Sequence, residues 1–162
     1  MAIVFLGLGS NESPEENLRL AVSELRSRYG ELTLSAVYKS AAVGFDGADF
    51  LNLVLRLQTE DSPLAICKVI ELIHGLAGRD RGSSQWESRP IDIDLLLYDD
   101  LIRDVRPVHV PRDDILKYSF VLRPLAEIAP DQVHPVTGKT YSDHWQAFDK
   151  NSHPLMKKSL GL

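Results

Sequence analysis

Phe50-Leu51-Asn52-Leu53-Val54-Leu55-Arg56-Leu57-Gln58 alternates without a break. In an extended chain Leu51, Leu53, Leu55 and Leu57 share one face, and Phe50, Asn52 and Val54 share the other. A row of leucines on one side predicts a strand lying on a core. Just upstream, Leu32–Lys39 alternates too, with Leu32, Leu34, Ala36 and Tyr38 on one face. The intervening residues 41–49 carry Gly44 and Gly47 and predict a loop between two neighbouring strands.

Further out, the pattern becomes strand and helix in turn. Ala2–Leu8 is apolar, has no basic segment before it, and is too short for a membrane span, so a buried strand is expected rather than a signal peptide. Ser13-Pro14-Glu15-Glu16 predicts a helix start. Ser13 caps, Pro14 takes the first helical position and Glu16 completes a capping box. Leu18, Ala21, Val22 and Leu25 follow at helical spacing, and Gly30 stops the run. Downstream, Ser62-Pro63 repeats the cap, a weak sign of internal pseudo-symmetry. Ala65, Val69, Leu72, Ile73 and Leu76 form a stripe there, and Gly78 ends it. Residues 79–89 are polar and loop-like, and Ile91–Leu97 predicts a fourth strand. A last helix is expected over Ser119–Ile128, before Pro130. From Gly138 the patterning weakens, and Lys157 to Leu162 is expected to be a loose tail. Strand–helix–strand–strand–helix–strand matches the split βαβ arrangement. The expectation is a ferredoxin-like α+β fold, a βαββαβ core with C-terminal additions, forming one domain over residues 1–162.

Composition narrows the function. The chain has 162 residues, 44% of them hydrophobic, and a formal net charge of −5, which argues against a nucleic-acid binder. Cys67 is the single cysteine, so no internal disulfide exists and a cysteine-based zinc site is disfavoured. A small core thiol in a reducing cytoplasm is the expectation. The five histidines His74, His109, His134, His144 and His153 lack zinc-ligand spacing, and Gly7-Leu8-Gly9-Ser10-Asn11 is neither a P-loop nor a dinucleotide fingerprint.

The chemistry concentrates in Arg89-Pro90-Ile91-Asp92-Ile93-Asp94. On a strand Asp92 and Asp94 share a face, their Cα atoms about 6–7 Å apart, and repel unless a cation lies between them. Hard carboxylate oxygens suit Mg²⁺. Taken alone, the pair favours a plain exposed acidic strand face. Arg79, Arg81 and Arg89 precede it, and arginine forks bind phosphate oxygens. A polyphosphate site and a set of Arg–Asp pairs then weigh evenly. Phe50 with Asn52 suits a flat heterocycle, the ring stacking and the amide reading its edge. A second packed face under a helix is the simpler reading of those two residues.

Together these residues resemble the 6-hydroxymethyl-7,8-dihydropterin pyrophosphokinase family of folate biosynthesis. The likeness runs from residue 2 to about 136. It rests on Gly9-Ser10-Asn11, Phe50-Leu51-Asn52 and Gly78-Arg79-Asp80-Arg81. Trp86, Arg89, I-D-I-D at 91–94 and F-V-L-R-P-L-A-E-I-A-P at 120–130 complete it. The resemblance implies a ferredoxin-like, Mg²⁺-dependent enzyme with two metal ions, moving the β,γ-diphosphate of ATP to the pterin hydroxymethyl group and releasing AMP. By that resemblance Asp92 and Asp94 hold the metals and act in catalysis with Arg79 and Arg89. Phe50 and Phe120 sandwich the pterin, Asn52 reads its edge, Ser40 and Val43 complete its recognition, and Trp86 lies on the mobile loop that seals the site. The ATP set is Glu71, Arg81, Arg89, Leu95, His109, Arg112 and Lys117. A monomer with small-molecule substrates and no membrane partner is implied.

The chain departs from the family pattern on the ATP side. Arg112 follows Val110-Pro111 where a His is common, Tyr118 replaces an Arg two residues before Phe120, Gln85 replaces an Arg, and His74 replaces a Glu. On the pterin side Ala41 and Ala42 stand where prolines are frequent. Two alternatives therefore accompany the main expectation: a pterin-binding paralogue with weak or lost catalysis, and the same chemistry on a related pterin alcohol.

Overall fold

A computed structural model describes residues 1–44, 46–78 and 90–162. The strands are β1 (Ala2–Ser10), β2 (Thr33–Leu34), β3 (Val37–Ser40), β4 (Phe50–Thr59), β5 (Asp92–Tyr98), β6 (Arg103–Val105), β7 (Val108–Val110) and β8 (Met156–Lys158). The helices are α1 (Pro14–Tyr29), α2 (Pro63–Leu76), α3 (Asp114–Lys117), α4 (Ser119–Ile128) and α5 (Tyr141–Ala147). The main sheet runs β5-β1-β4-β3-β8, with β2 also on β4, and its pairings are antiparallel. β6 and β7 form a separate hairpin.

The alternation seen in sequence becomes two packed faces. Leu51, Leu53, Leu55 and Leu57 of β4 join Val4, Leu6 and Leu8 of β1 and Ile93 and Leu95 of β5, under α1 and α2. On the opposite face Phe5 and Val54 pack against Val121, Leu122 and Leu125 of α4. Helices therefore cover both sides of the sheet, as a sheet with two apolar faces requires.

Several expectations are corrected in detail. The predicted Leu32–Lys39 strand is two pieces, β2 and β3, interrupted at Ser35 and Ala36. Ser35 turns its hydroxyl to accept from the Val54 N–H (2.9 Å), and Ala36 N–H donates to Glu127 (2.8 Å). Ser13 does not cap α1: its φ of 43° is left-handed, and the helix start is tied instead through Asn17, whose amide donates to the Glu12 carbonyl (2.7 Å). Ser62 does cap α2, accepting from Ala65 N–H (3.2 Å), so the two Ser-Pro starts are not equivalent.

The buried side of α2 is Ile66, Ile70, Ile73 and His74, while Leu72 and Leu76 are exposed. The buried stripe sits one residue round from the predicted one, about 100° on a helix, with Ile73 common to both and Val69 partly buried at its edge. Cys67 is half-buried at the core's edge rather than within it, and burial pushes its thiol pKa up.

The closing residues are anchored rather than loose. Lys157 and Lys158 lie in β8 against β3, Lys158 pairs with Glu15 (3.1 Å), Leu160 is buried beside α1, and Arg19 donates to the Leu160 carbonyl. One buried leucine and a strand edge supply the attachment that polar lysines alone did not suggest. Among the described residues no helix is long and apolar enough to cross a membrane.

Candidate active site

Two cavities open beside β5 and share a wall. The first, about 190 Å³, is lined by Gly7, Gly9, Ser40, Val43, Phe50, Asn52, Tyr118 and Phe120, among others. The second, about 540 Å³, is lined by Glu71, His74, Leu95, His109 and Arg112 with parts of α2 and β7. Asp92 and Asp94 line both.

The sheet register explains this placement. Across the strands Asp92 faces Gly9, and Gly9 faces Asn52; Asp94 faces Gly7, and Gly7 faces Val54. Directly opposed residues project to the same face. The two carboxylates and the Asn52 amide therefore flank a strip that has no side chains. Asp92 and Asn52 lie two strands apart, roughly 10 Å between Cα atoms. A Cβ on Gly9 would come 3.1 Å from Asn52 Oδ1, and one on Gly7 would come 3.3 Å from Leu96. Glycine at these positions keeps the floor open.

Main-chain ties hold the first cavity. Asn52 is buried, and its Nδ2 donates to Ser40 Oγ (2.8 Å) and the Tyr38 carbonyl (3.2 Å), which fixes the amide. Ser10 donates to the Pro90 carbonyl, linking the end of β1 to the entry of β5. Asn11 Nδ2 donates to the Ala48 carbonyl (3.1 Å), holding the loop before β4. Phe120 stacks on Tyr118 with ring centroids 4.9 Å apart and planes 16° apart, and His153 meets both rings edge-on.

The second cavity is held by side chains. β5 is the edge strand of the sheet. Its outward Ile93 N–H, between the two aspartates, donates to His74 Nε2 (2.9 Å), and His74 Nδ1 lies 3.5 Å from Glu71. His109 Nδ1 meets Asp104 at 2.9 Å and its Nε2 lies 3.3 Å from Asp113. The two carboxylates, Asp104 first, raise the His109 pKa above its ordinary value. Arg112 Nη2 lies 3.4 Å from Asp94 and its Nε 3.4 Å from Asp114. Burial works against the guanidinium charge, and Asp94 and Asp114 more than offset it, so the arginine pKa is raised.

The donor set fits Mg²⁺. Among the described residues no group of three His, Cys, Asp or Glu gathers as a metal cage. Two carboxylates above an open strip suit an ion that takes its other oxygens from phosphates and water, the usual arrangement for Mg²⁺ with a polyphosphate.

A family model for 7,8-dihydro-6-hydroxymethylpterin-pyrophosphokinase matches residues 5–130. The chain belongs to that family. It is 36% identical over 141 residues to a 2-amino-4-hydroxy-6-hydroxymethyldihydropteridine pyrophosphokinase of Aquifex aeolicus, covering 86% of this chain and 88% of that protein. The protein of the same name from Haemophilus influenzae is 34% identical over 155 residues, covering 89% and 96%. A solved structure of Plasmodium falciparum HPPK-DHPS shares the fold with a TM-score of 0.72 at 14% identity. The match covers 90% of this chain and 44% of that longer one.

Within this pyrophosphokinase fold, the residues expected on the pterin side gather as a set: Ser40, Val43, Phe50, Asn52 and Phe120 line one cavity. Of the expected ATP set, Glu71, Leu95, His109 and Arg112 line the other. Lys117 lines neither; its ammonium lies 5.3 Å from the Tyr118 ring centroid. Arg79, Arg81, Gln85, Trp86 and Arg89 lie outside the described residues. The face of Phe50 and Asn52 answers to both sequence readings at once. It is covered by α4 at Val54 and opens into the cavity at Phe50 and Asn52.

Sequence reasoning missed the roles of Ser10, Asn11, Gly7, Gly9 and His74. The glycines had a signal. Positions 5, 7 and 9 of β1 share a face, and a strand that reads Phe, Gly, Gly there is bare on that side.

Proposed function

We propose that this chain transfers the β,γ-diphosphate of ATP to the hydroxymethyl group of 6-hydroxymethyl-7,8-dihydropterin, giving AMP and the pterin diphosphate. By family it is a pyrophosphokinase of folate synthesis. One observation carries the assignment of the site. The cavity with the pterin-side residues and the cavity with the ATP-side residues meet at Asp92 and Asp94.

Two substrates lodged in those cavities would present hydroxyl and polyphosphate to each other at the shared wall, so positioning supplies much of the rate. Phe50 and Phe120 stack the pterin while Asn52 and Ser40 orient its polar edge. Glu71, Leu95, His109 and Arg112 contact the nucleotide. Arg79, Arg81 and Arg89 neutralise phosphate charge, and Trp86 helps exclude water. Asp92 and Asp94 would hold two Mg²⁺ ions, which would supply charge neutralisation for the polyphosphate. The β5-β1-β4-β3 order, with helices in both crossovers, supports a ferredoxin-like core within one domain of 162 residues. A monomeric cytoplasmic enzyme completes the proposal.

The test is AMP release with 6-hydroxymethyl-7,8-dihydropterin, ATP and Mg²⁺, followed beside an active relative. Pterin binding by fluorescence without AMP above background would support the pterin-binding paralogue instead. Faster turnover of another pterin alcohol would move the substrate assignment.

A further inference from the structure

Arg112 occupies an unusual place. Its own N–H donates to the Leu96 carbonyl (3.0 Å), which fixes its backbone beside β5. From there the side chain runs back along the strand and divides itself between Asp94 and Asp114, at 3.4 Å to each. Charge-assisted N–H···O bonds normally measure about 2.7–2.9 Å. Both contacts are therefore loose, and all three side chains stay about one-third accessible, at 36% for Arg112, 27% for Asp94 and 32% for Asp114. The guanidinium neutralises the carboxylate where the donor set would take a divalent cation, without forming a tight fork on it. It also lines the cavity with Glu71, His74 and His109, where a polyphosphate would lie under the proposed function.

We propose that Arg112 is a displaceable counter-cation for Asp94, holding the carboxylate until a divalent cation arrives with a polyphosphate, and then passing its fork to the phosphate. The inference rests on the reading of Asp92 and Asp94 as metal ligands. An ion at Asp94 and a guanidinium against the same oxygen repel each other. A phosphate carried in with the ion gives the guanidinium a better partner, with two oxygens for its planar fork. Asp114, at the start of α3, retains the other side of the guanidinium during the exchange. The consequence is a coupling of opposite signs. Arg112 weakens the binding of the bare ion and strengthens the binding of the ion with its nucleotide.

The experiment measures free Mn²⁺ by electron paramagnetic resonance, with Mn²⁺ alone and with Mn²⁺ plus α,β-methylene-ATP, whose blocked bond prevents transfer. Arg112→Gln is expected to bind Mn²⁺ alone about 5-fold more tightly, and the Mn²⁺–nucleotide analogue about 10-fold more weakly, within the usual range of site coupling. Arg112→Lys keeps the charge and is expected to stay within about 2-fold of the parent for Mn²⁺ alone. A damaged fold weakens both measurements, and an arginine that serves only the phosphate changes the second alone; either pattern overturns the proposal. Asp94→Asn separates the two layers of the argument. If it removes Mn²⁺ binding while Arg112→Gln leaves Mn²⁺ affinity unchanged, only the exchange fails. If Asp94→Asn leaves Mn²⁺ affinity intact, the metal reading of Asp94 fails and takes the exchange with it.

Discussion

The two cavities that meet at Asp92 and Asp94 are held open by different means. In the cavity proposed for the pterin the floor is strand backbone at Gly7 and Gly9, Asn52 is pinned by Ser40 and the Tyr38 carbonyl, and Tyr118 and Phe120 close the other side. In the cavity proposed for the nucleotide the walls are long side chains from separate elements, paired mostly with one another: His74 with Glu71, His109 with Asp104 and Asp113, Arg112 with Asp94 and Asp114. A site made of strand register accepts few substitutions, because each residue is set by its neighbour across the sheet. A site made of paired charges can exchange one partner for another. Among the described residues the departures from the family pattern divide between the two cavities: Arg112 and His74 line the second, whereas Tyr118, expected on the ATP side, lines the first with Ala41 and stacks on Phe120.

The largest effect should come from the shared wall. Asp94→Ala removes a carboxylate from both cavities at once. Turnover is expected to fall by about 10²–10³-fold or more, as when preorganised charge is removed from a transition state. Pterin affinity, read by fluorescence, should stay within a few-fold because Asn52 and the aromatic rings are untouched. AMP release at the parent rate would take the metal role from Asp94.

Next in size is the pterin floor. Gly9→Ala places a methyl group 3.1 Å from Asn52 Oδ1, and the amide cannot swing away without breaking two bonds. A displaced amide should raise the pterin KM by about 10-fold or more, since sub-ångström errors in positioning are costly. The KM for ATP should barely move. If both KM values rise together, the cavities are not independent and the contrast between them is false.

The uneven build also explains what could be read from sequence. Strand alternation exposes β4 and the two faces of β5 directly, because each forms one uninterrupted strand in which the period of two holds, unlike Leu32–Lys39, which tertiary contacts break at Ser35 and Ala36. Alternation put Phe50 with Asn52 and Asp92 with Asp94 on their faces, and the family resemblance then made those faces, with Phe120, an expected site. What escaped depends on contacts distant in sequence. The Ile93 N–H reaches His74 from a different element, and no local pattern marks an imidazole as the acceptor for an edge strand. The hairpin β6–β7 and the anchored β8 are three residues each, too short for periodicity to register. The phase of α2 is not legible locally because most residues in Pro63–Leu76 are apolar, so several stripes fit equally well until the sheet selects one.

A moderate effect is expected at His74. His74→Leu keeps the volume but removes the acceptor for Ile93 N–H, leaving a buried donor on an edge strand, at a cost of about 1–3 kcal/mol. Because Ile93 sits between the two aspartates, the loss should also reach the metal site, by about 10-fold in Mn²⁺ affinity, as for groups that orient metal ligands. His74→Gln can supply an amide oxygen to the same N–H and should recover part of both losses. Lower thermal stability without any change in Mn²⁺ affinity would reduce His74 to a packing residue.

The smallest effect tests the charged walls themselves. His109 gains most from its hydrogen bond to Asp104, then from Asp113, and both hold its pKa above the ordinary 6.5. The sign follows from that direction. A histidine with a raised folded pKa binds its proton more tightly when folded. The stability it adds is complete below about pH 6.5 and is lost as pH rises through the raised value. Much of the group is exposed to solvent, so the stability change should be small and weakened by salt. Its titration, followed through the imidazole C–H resonances by NMR, should nonetheless move clearly. Asp104→Asn should bring the His109 midpoint down toward 6.5 and leave His134 in place. His134 lies in a different environment, where burial and then the neighbouring His144 hold its pKa below the ordinary value. If Asp104→Asn left the His109 midpoint unchanged, the nucleotide wall would not be set by paired charges there. The distinction from the pterin wall would then rest on Arg112 and His74 alone.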